Sequence, residues 1–204
     1  MKPITEYNFR EICEQFVKIE PPIGVGNLLN NPEYLIAFGY IDPVVGTSFQ
    51  VLGVMNNNEI TEIKDVITLR YSENYVLEPM KYEEMPSSMI LTGSNIRLKS
   101  RESKSDNQLA FRYIEDFDPY RDNQFPDDIF IPVYKNIKLE KIYIWVTPIK
   151  IMEDGTVITI SLEHDGNISE GDEICIGREE DGIIGIPKIL LDNLVEEETT
   201  DENQ

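Results

Sequence analysis

The sequence predicts an α+β protein, mostly β: antiparallel sheets, an N-terminal amphipathic helix, and a C-terminal β-meander or small barrel closed by a short helix. Three observations predict it. Apolar residues take helical spacing near the start of the chain. After Pro32 they give way to short runs of β-branched and aromatic residues, the composition of strands. In the last third, Asp154-Gly155, Asp165-Gly166 and Asp181-Gly182 punctuate those runs, and Asp-Gly readily takes the positive φ that tight hairpins need.

The elements follow in order. Phe9, Ile12, Cys13, Phe16 and Val17 share one face of a helix expected from about Glu6 to Ile19, stopped by Pro21-Pro22. Tyr34 to Ile41 and Phe49 to Met55 read as a hairpin through Asp42-Pro43-Val44-Val45-Gly46, and Asn56-Asn57-Asn58 ends its second strand. Val66 to Tyr71 and Tyr75 to Leu77 are further short strands. Gly93 to Asn107 is polar and carries the basic cluster Arg97, Lys99, Arg101 and Lys104, expected as a mobile, solvated loop that pairs with acids. Leu109 to Ile114 reads as a strand. The segment from Glu115 to Asp128 mixes acids with Phe117, Tyr120 and Phe125, the composition of an interaction loop.

Ile142 to Met152, Thr156 to Leu162, Glu173 to Gly177 and Ile183 to Ile186 form the expected four-stranded meander. Pro187 with Ile189, Leu190, Leu191, Leu194 and Val195 begins the closing helix. The organisation expected is an α+β unit over 1–137, a meander unit over 138–196 and a disordered acidic tail over 197–204.

Charge narrows the function. The 204 residues carry a net charge of −20, and the pI is near 4.3. Residues 151–204 hold sixteen acids against Arg178 and Lys188, a net −14 that leaves −6 for the rest of the chain. Dense carboxylates repel phosphate backbones and attract basic partners, so direct binding to nucleic acid or an anionic membrane is excluded. No apolar run reaches the eighteen or so residues of a membrane span, and no apolar stretch of a secretory signal follows Met1. Cys13 and Cys175 fall in different elements, which fits a reducing compartment. A cytoplasmic protein is expected.

No catalytic motif emerges, and an enzyme is not expected. The single histidine, His164, shares strand parity with Ile158, Ile160 and Leu162, whereas Cys175 is out of phase with Ile174 and Ile176. Period-two geometry therefore points the two side chains to opposite faces. Cys, Cys and His lack zinc spacing. Asp116, Asp118 and Asp122 loosely match a calcium loop, yet Arg121 and Asp127 stand where glycine and glutamate are required. Gly24-Val25-Gly26 lacks the third glycine and the preceding strand of a dinucleotide site. No cofactor is implied. Trp145 reads as a sheet-face or core residue, not a base-stacking platform.

Three functional readings follow. The first is an acidic inhibitor or blocker whose carboxylates imitate phosphate spacing and occupy the basic surface of a nucleic-acid-binding protein or enzyme. A phage or plasmid anti-defence protein, for instance against a CRISPR effector, or a nuclease immunity protein, would fit. Its expected contact residues are Glu163, Asp165, Glu170, Asp172, Glu173, Glu179, Glu180 and Asp181 on the meander, with Asp116, Asp118, Tyr120, Asp122, Asp127 and Asp128 on the preceding loop. The second is an assembly subunit, such as a virion component, pairing through the edges of Tyr34 to Ile41 or Ile142 to Met152. The third is an enzyme with a cryptic carboxylate or metal site.

Overall fold

The computed structural model describes residues 1–136, 140–179 and 182–192. The chain divides into two compact units. One comprises Met1–Lys104 with Asn123–Pro126, and the other Ser105–Asp122 with the described residues from Asp127 onward. This division precedes the expected 137/138 boundary, because the helix and strand just before that boundary belong to the second unit.

The first unit is built on a six-stranded antiparallel sheet, in the order β1 (Lys2–Pro3), β6 (Val76–Met80), β2 (Phe16–Ile19), β3 (Tyr34–Asp42), β4 (Gly46–Asn56), β5 (Glu59–Arg70). The expected hairpin is present as β3 and β4, and Asn57 and Asn58 turn β4 into β5 at φ 50° and 63°. Both faces of the sheet are covered. Val17, Leu35, Ala37 and Phe49 point into one core with Ile4, Phe9 and Ile12, and Phe16, Ile36 and Phe38 into another with Met85, Met89 and Ile96. Burial on both faces is why β3 reads as a continuous apolar run instead of an alternating one.

The expected helix over Glu6 to Ile19 is corrected to a 3-10 turn (Ile4–Glu6), a single α-turn, α1 (Phe9–Ile12), and then strand β2. Asn8 and Glu11 form a capping box that starts α1. Glu14 at φ 59° ends it. Phe16 and Val17 are both fully buried but in opposite cores, a placement that adjacent strand residues satisfy and one helix face does not. Gly39 is required where β3 crosses α1, since a Cβ there would lie 1.9 Å from the Ile12 carbonyl oxygen. A six-residue helix, α2 (Ile23–Leu28), follows the Pro21-Pro22 stop.

The polar stretch expected as a loop is instead most of α3 (Ser87–Glu102). Met89, Gly93, Ile96 and Ser100, spaced by four, three and four, form its buried face. Small residues in two of those positions hide the apolar period from view. Gly93 lets the helix backbone sit on the Phe16 and Phe38 rings, and a Cβ there would be 2.7 Å from Phe38. Arg101 donates from Nε to Glu14 Oε1 at 2.7 Å, so one member of the basic cluster does pair with the chain's own acids.

In the second unit, the expected strand over Leu109 to Ile114 is mostly helix α4 (Asp106–Arg112), started by a Ser105–Gln108 capping box. After a 3-10 turn over Glu115–Tyr120 come β7 (Ile129–Tyr134), β8 (Lys141–Ile151), β9 (Val157–Ser161), β10 (Glu173–Glu179) and β11 (Gly182–Pro187). They close a barrel in the order β10-β11-β7-β8-β9. Four of these are the expected meander. The fifth, β7, closes the ring through a parallel contact of Val133 with Gly185. Its core alternates along the strands: Ile129, Ile131 and Val133 from β7, Ile144 and Val146 from β8, Ile174 and Ile176 from β10, plugged by Phe111 and Phe117. Residues 188–192 are helical, as expected, whereas Leu194, Val195 and the tail 197–204 lie outside the described residues.

Candidate functional site: the acidic connections of the barrel

The expected contact residues separate into three groups. The first lies on the connection from β9 to β10, over 162–172. Ser161, buried at the end of β9, donates from its hydroxyl to the Glu163 carbonyl at 2.7 Å and accepts from the Glu163 amide at 3.2 Å. Asp165 and Ile168 exchange backbone hydrogen bonds of 3.0 and 3.1 Å around a turn in which Gly166 has φ 63°. Ile168 is buried in the barrel core. The Gly171 amide donates to Ser161 at 2.8 Å, and the Ser169 amide to the Asp172 carboxylate at 2.8 Å. The connection is thus a hydrogen-bonded, core-anchored loop. Asp165, Glu170 and Asp172 are exposed on it, and Glu163 is half-exposed. Among the described residues no cation pairs with these four carboxylates.

The second group is engaged within the barrel unit. Glu173 accepts from Lys188 Nζ at 2.6 Å and Glu179 from Lys141 Nζ at 2.7 Å. The Tyr134 hydroxyl also donates to Glu179. Lys141 and Tyr134 together hold the Glu179 carboxyl below the usual range, and the same carboxylate pushes the Tyr134 phenol up. Arg178 pairs with Asp116, both on the surface. These neutralised acids add little to an attractive field. Glu180 and Asp181 lie outside the described residues.

The third group, on the loop before β7, is largely internal. Asp127 is buried, and both its oxygens accept from the buried Arg112, Nε to Oδ1 at 2.7 Å and Nη2 to Oδ2 at 2.8 Å. Arg121 donates to Asp118 at 3.0 Å and to the Phe111 carbonyl at 2.8 Å, its guanidinium 4.5 Å from the Phe111 ring centroid. Phe117 is core, Tyr120 packs against it, and Phe125 is exposed. Asp122 donates its amide to the Asp128 carbonyl at 3.3 Å, and both side chains are half-buried. The reading of Asp127 as a surface contact is corrected: it balances a buried arginine. Of its aromatics, Phe117 and Tyr120 serve the barrel core, whereas Phe125 belongs to the first unit, beside Gly46.

Asp116 and Asp154 both line a cleft of about 410 Å³ with Ile114, Thr156, Arg178 and Ile183. Asp116 is taken by Arg178, and Asp154 caps its own turn by accepting from the Thr156 amide at 2.9 Å, which lowers its pKa. Among the described residues no three His, Cys, Asp or Glu side chains are grouped to hold a metal. Cys175 faces outward on β10 between Ile158 and Ile186, and burial pushes its thiol pKa up. A raised pKa means less thiolate at neutral pH. Alkylation of Cys175 by iodoacetamide at pH 8 is therefore expected to run slower than that of a model thiol, followed by peptide mass spectrometry. An equal rate would contradict this expectation, and a faster one would mark Cys175 as an activated nucleophile.

Sequence reasoning missed one surface. Phe130, Tyr143 and Trp145 project outward from β7 and β8, with ring centroids 5.0 Å apart for Phe130 and Trp145 and 5.7 Å for Phe130 and Tyr143. Period-two alternation in Ile129–Tyr134 carries a strand signal, which Pro132 within the run weakens. Among the described residues no helix is long and apolar enough to cross a membrane. Comparison with known families, curated proteins and solved structures yields no match to this chain.

Proposed function

We propose that the chain is an acidic protein-binding module that inhibits or blocks a partner by occupying its basic, nucleic-acid-binding surface, and that the barrel unit makes the contact. One observation carries this reading: Glu163, Asp165, Glu170 and Asp172 are set on a connection braced by its own hydrogen bonds and by buried Ile168, with no paired cation among the described residues. Acids held in place lose less conformational freedom on binding than acids on a loose tail. The sequence of the barrel unit has 24 acids against eight basic residues, net −16, so its field steers a cationic surface toward it. A cytoplasmic setting and an anti-defence or immunity role belong to this reading.

Assembly through sheet edges has less support. β3 lies between β2 and β4, and β8 between β7 and β9, so the two strands expected to offer edges are paired on both sides. The long outer strand, β5, carries Glu59, Glu62, Lys64, Asp65 and Arg70, charges that discourage edge pairing.

The test is the combined variant Glu163→Gln, Asp165→Asn, Glu170→Gln and Asp172→Asn, measured against a partner captured at low salt. Asn at 172 keeps an acceptor for the Ser169 amide. The association rate is expected to fall about tenfold or more, with a smaller change in dissociation. Wild-type association should weaken steeply with salt, and the chain should displace DNA or RNA from the partner. Salt-independent binding, or an unchanged rate in the variant, overturns the reading.

A further inference from the structure

We propose that the outer face of β7, β8 and β9, centred on Phe130, Tyr143 and Trp145, docks an extended basic segment of the partner polypeptide, with Arg side chains stacked on the rings. This rests on the reading of the chain as a module for basic partners and names where and how such a partner is gripped.

The face is contiguous. Phe130 pairs across the sheet with Trp145, and Pro132 with Tyr143. The Leu162 amide donates to the Trp145 carbonyl at 2.9 Å, which carries the same row onto the end of β9. Tyr143 is 60% exposed, Phe130 40% and Leu162 37%. Inward-pointing neighbours on the same strands are buried, so the rings are surplus to the barrel core. Cross-strand aromatic pairs stabilise a sheet, but Phe130 and Tyr143 left open to water beside half-buried Trp145 are also a common mark of an interaction surface.

Charge decides the occupant. A second copy of the chain would bring another unit of net −16 against the first. Nucleic acid offers bases to stack but is repelled by the same field. Glu163 follows Leu162 in the chain and opens the β9–β10 connection, whose four carboxylates have no paired cation among the described residues. Aromatic faces next to carboxylates suit a guanidinium, which stacks on a ring while its N–H groups reach an anion. A sheet exterior accommodates an extended segment, whose alternate side chains meet successive rows.

Trp145 is the single tryptophan of the chain, so its emission reports on this face without any labelling of the protein. The probe is a fluorescein-labelled Arg-Gly repeat peptide, titrated into the full chain at low salt and followed by anisotropy. An unlabelled copy is titrated in parallel while Trp145 emission is read. Expected are saturable binding, a shift or quench of Trp145 with the same midpoint, and weaker binding of the matched Lys-Gly peptide. Tyr143→Thr, and separately Phe130→Thr, should each weaken the Arg peptide about threefold or more. Because the Trp145 signal is read on the unaltered chain, misfolding of one variant does not void the test.

Peptide binding that leaves Trp145 emission and both Thr variants unchanged, yet is lost in the Glu163→Gln, Asp165→Asn, Glu170→Gln, Asp172→Asn chain, overturns the aromatic platform and leaves the acidic-module reading standing. Equal binding of an uncharged peptide of the same length overturns the requirement for a basic segment. Absence of binding to either basic peptide overturns the platform and counts against the reading beneath it.

Discussion

Asp127→Asn is expected to cost the barrel unit about 3–5 kcal/mol, because it removes one half of a buried ion pair and leaves the other charged. Arg112, at 7% exposure, has its guanidinium matched edge to edge by the Asp127 carboxylate, at 2.7 and 2.8 Å. Asn offers one acceptor and no charge, so the guanidinium stays desolvated with a partner that cannot balance it. Protonation cannot relieve the arginine, whose pKa lies far above neutrality. Removing both charges together is a different experiment. Arg112→Met with Asp127→Leu replaces the pair by apolar groups of comparable size and should recover most of the loss. Urea unfolding followed by Trp145 emission measures the barrel unit alone, since that residue lies on β8 and is the chain's one tryptophan. A loss below about 1 kcal/mol for Asp127→Asn would place the pair among ordinary surface bridges.

Phe38→Ala is expected to destabilise the first unit by about 3–5 kcal/mol, the range for deleting a fully buried aromatic ring. Phe38 is 0% exposed, meets Phe16 edge-on with centroids 5.1 Å apart, and lies under Gly93 of α3. Its removal opens a cavity beneath Gly93 of α3, and the close-packed surroundings can relax only in part. The readout is hydrogen exchange by mass spectrometry over α3 and β3. Amides of α3 should exchange much faster in the variant, while peptides from β7 to β11 should not change. Undisturbed α3 exchange would mean that the helix is held elsewhere, and Phe38→Leu, which keeps most of the volume, should be far milder.

The strands were far more legible in the sequence than the helices were. Ile142 to Met152 and Thr156 to Leu162 announce themselves through alternation and an Asp-Gly turn, signals that depend on neighbours in the chain and survive any tertiary setting. The segment from Phe9 to Val17 misled, because a spacing of three and four also arises when a short helical turn runs into a strand buried on both sides. Helix α3 is hidden by Gly93 and Ser100 on its buried face, and at Gly93 the Phe16 and Phe38 rings leave no room for a larger residue. The acids of the β9–β10 connection were identifiable by type, but which remain without a paired cation was not. Glu173 meets Lys188 across the β10–β11 hairpin, a pairing that depends on register, and Asp116 meets Arg178 from 62 residues away, which no local pattern encodes. Of the two alternatives that the sequence leaves open for Trp145, sheet face or core, the structure selects the sheet face, and the run around Phe130 in β7 carries no turn signal to mark it as a strand.

The ring that closes between Val133 and Gly185 also sets an order of events at the ribosome. Strand β7, the first of the barrel, waits for more than fifty residues of synthesis, from Val133 to Gly185, before its second neighbour exists. At about 5–20 residues per second that delay lasts several seconds, long compared with the formation of a hairpin. The first unit has its outermost pairing, Lys2 with Leu77, within reach well before then. A nascent chain that stops short of Gly182 therefore carries the strands of the first sheet, while the edge of β7 at Val133 still waits for its parallel neighbour.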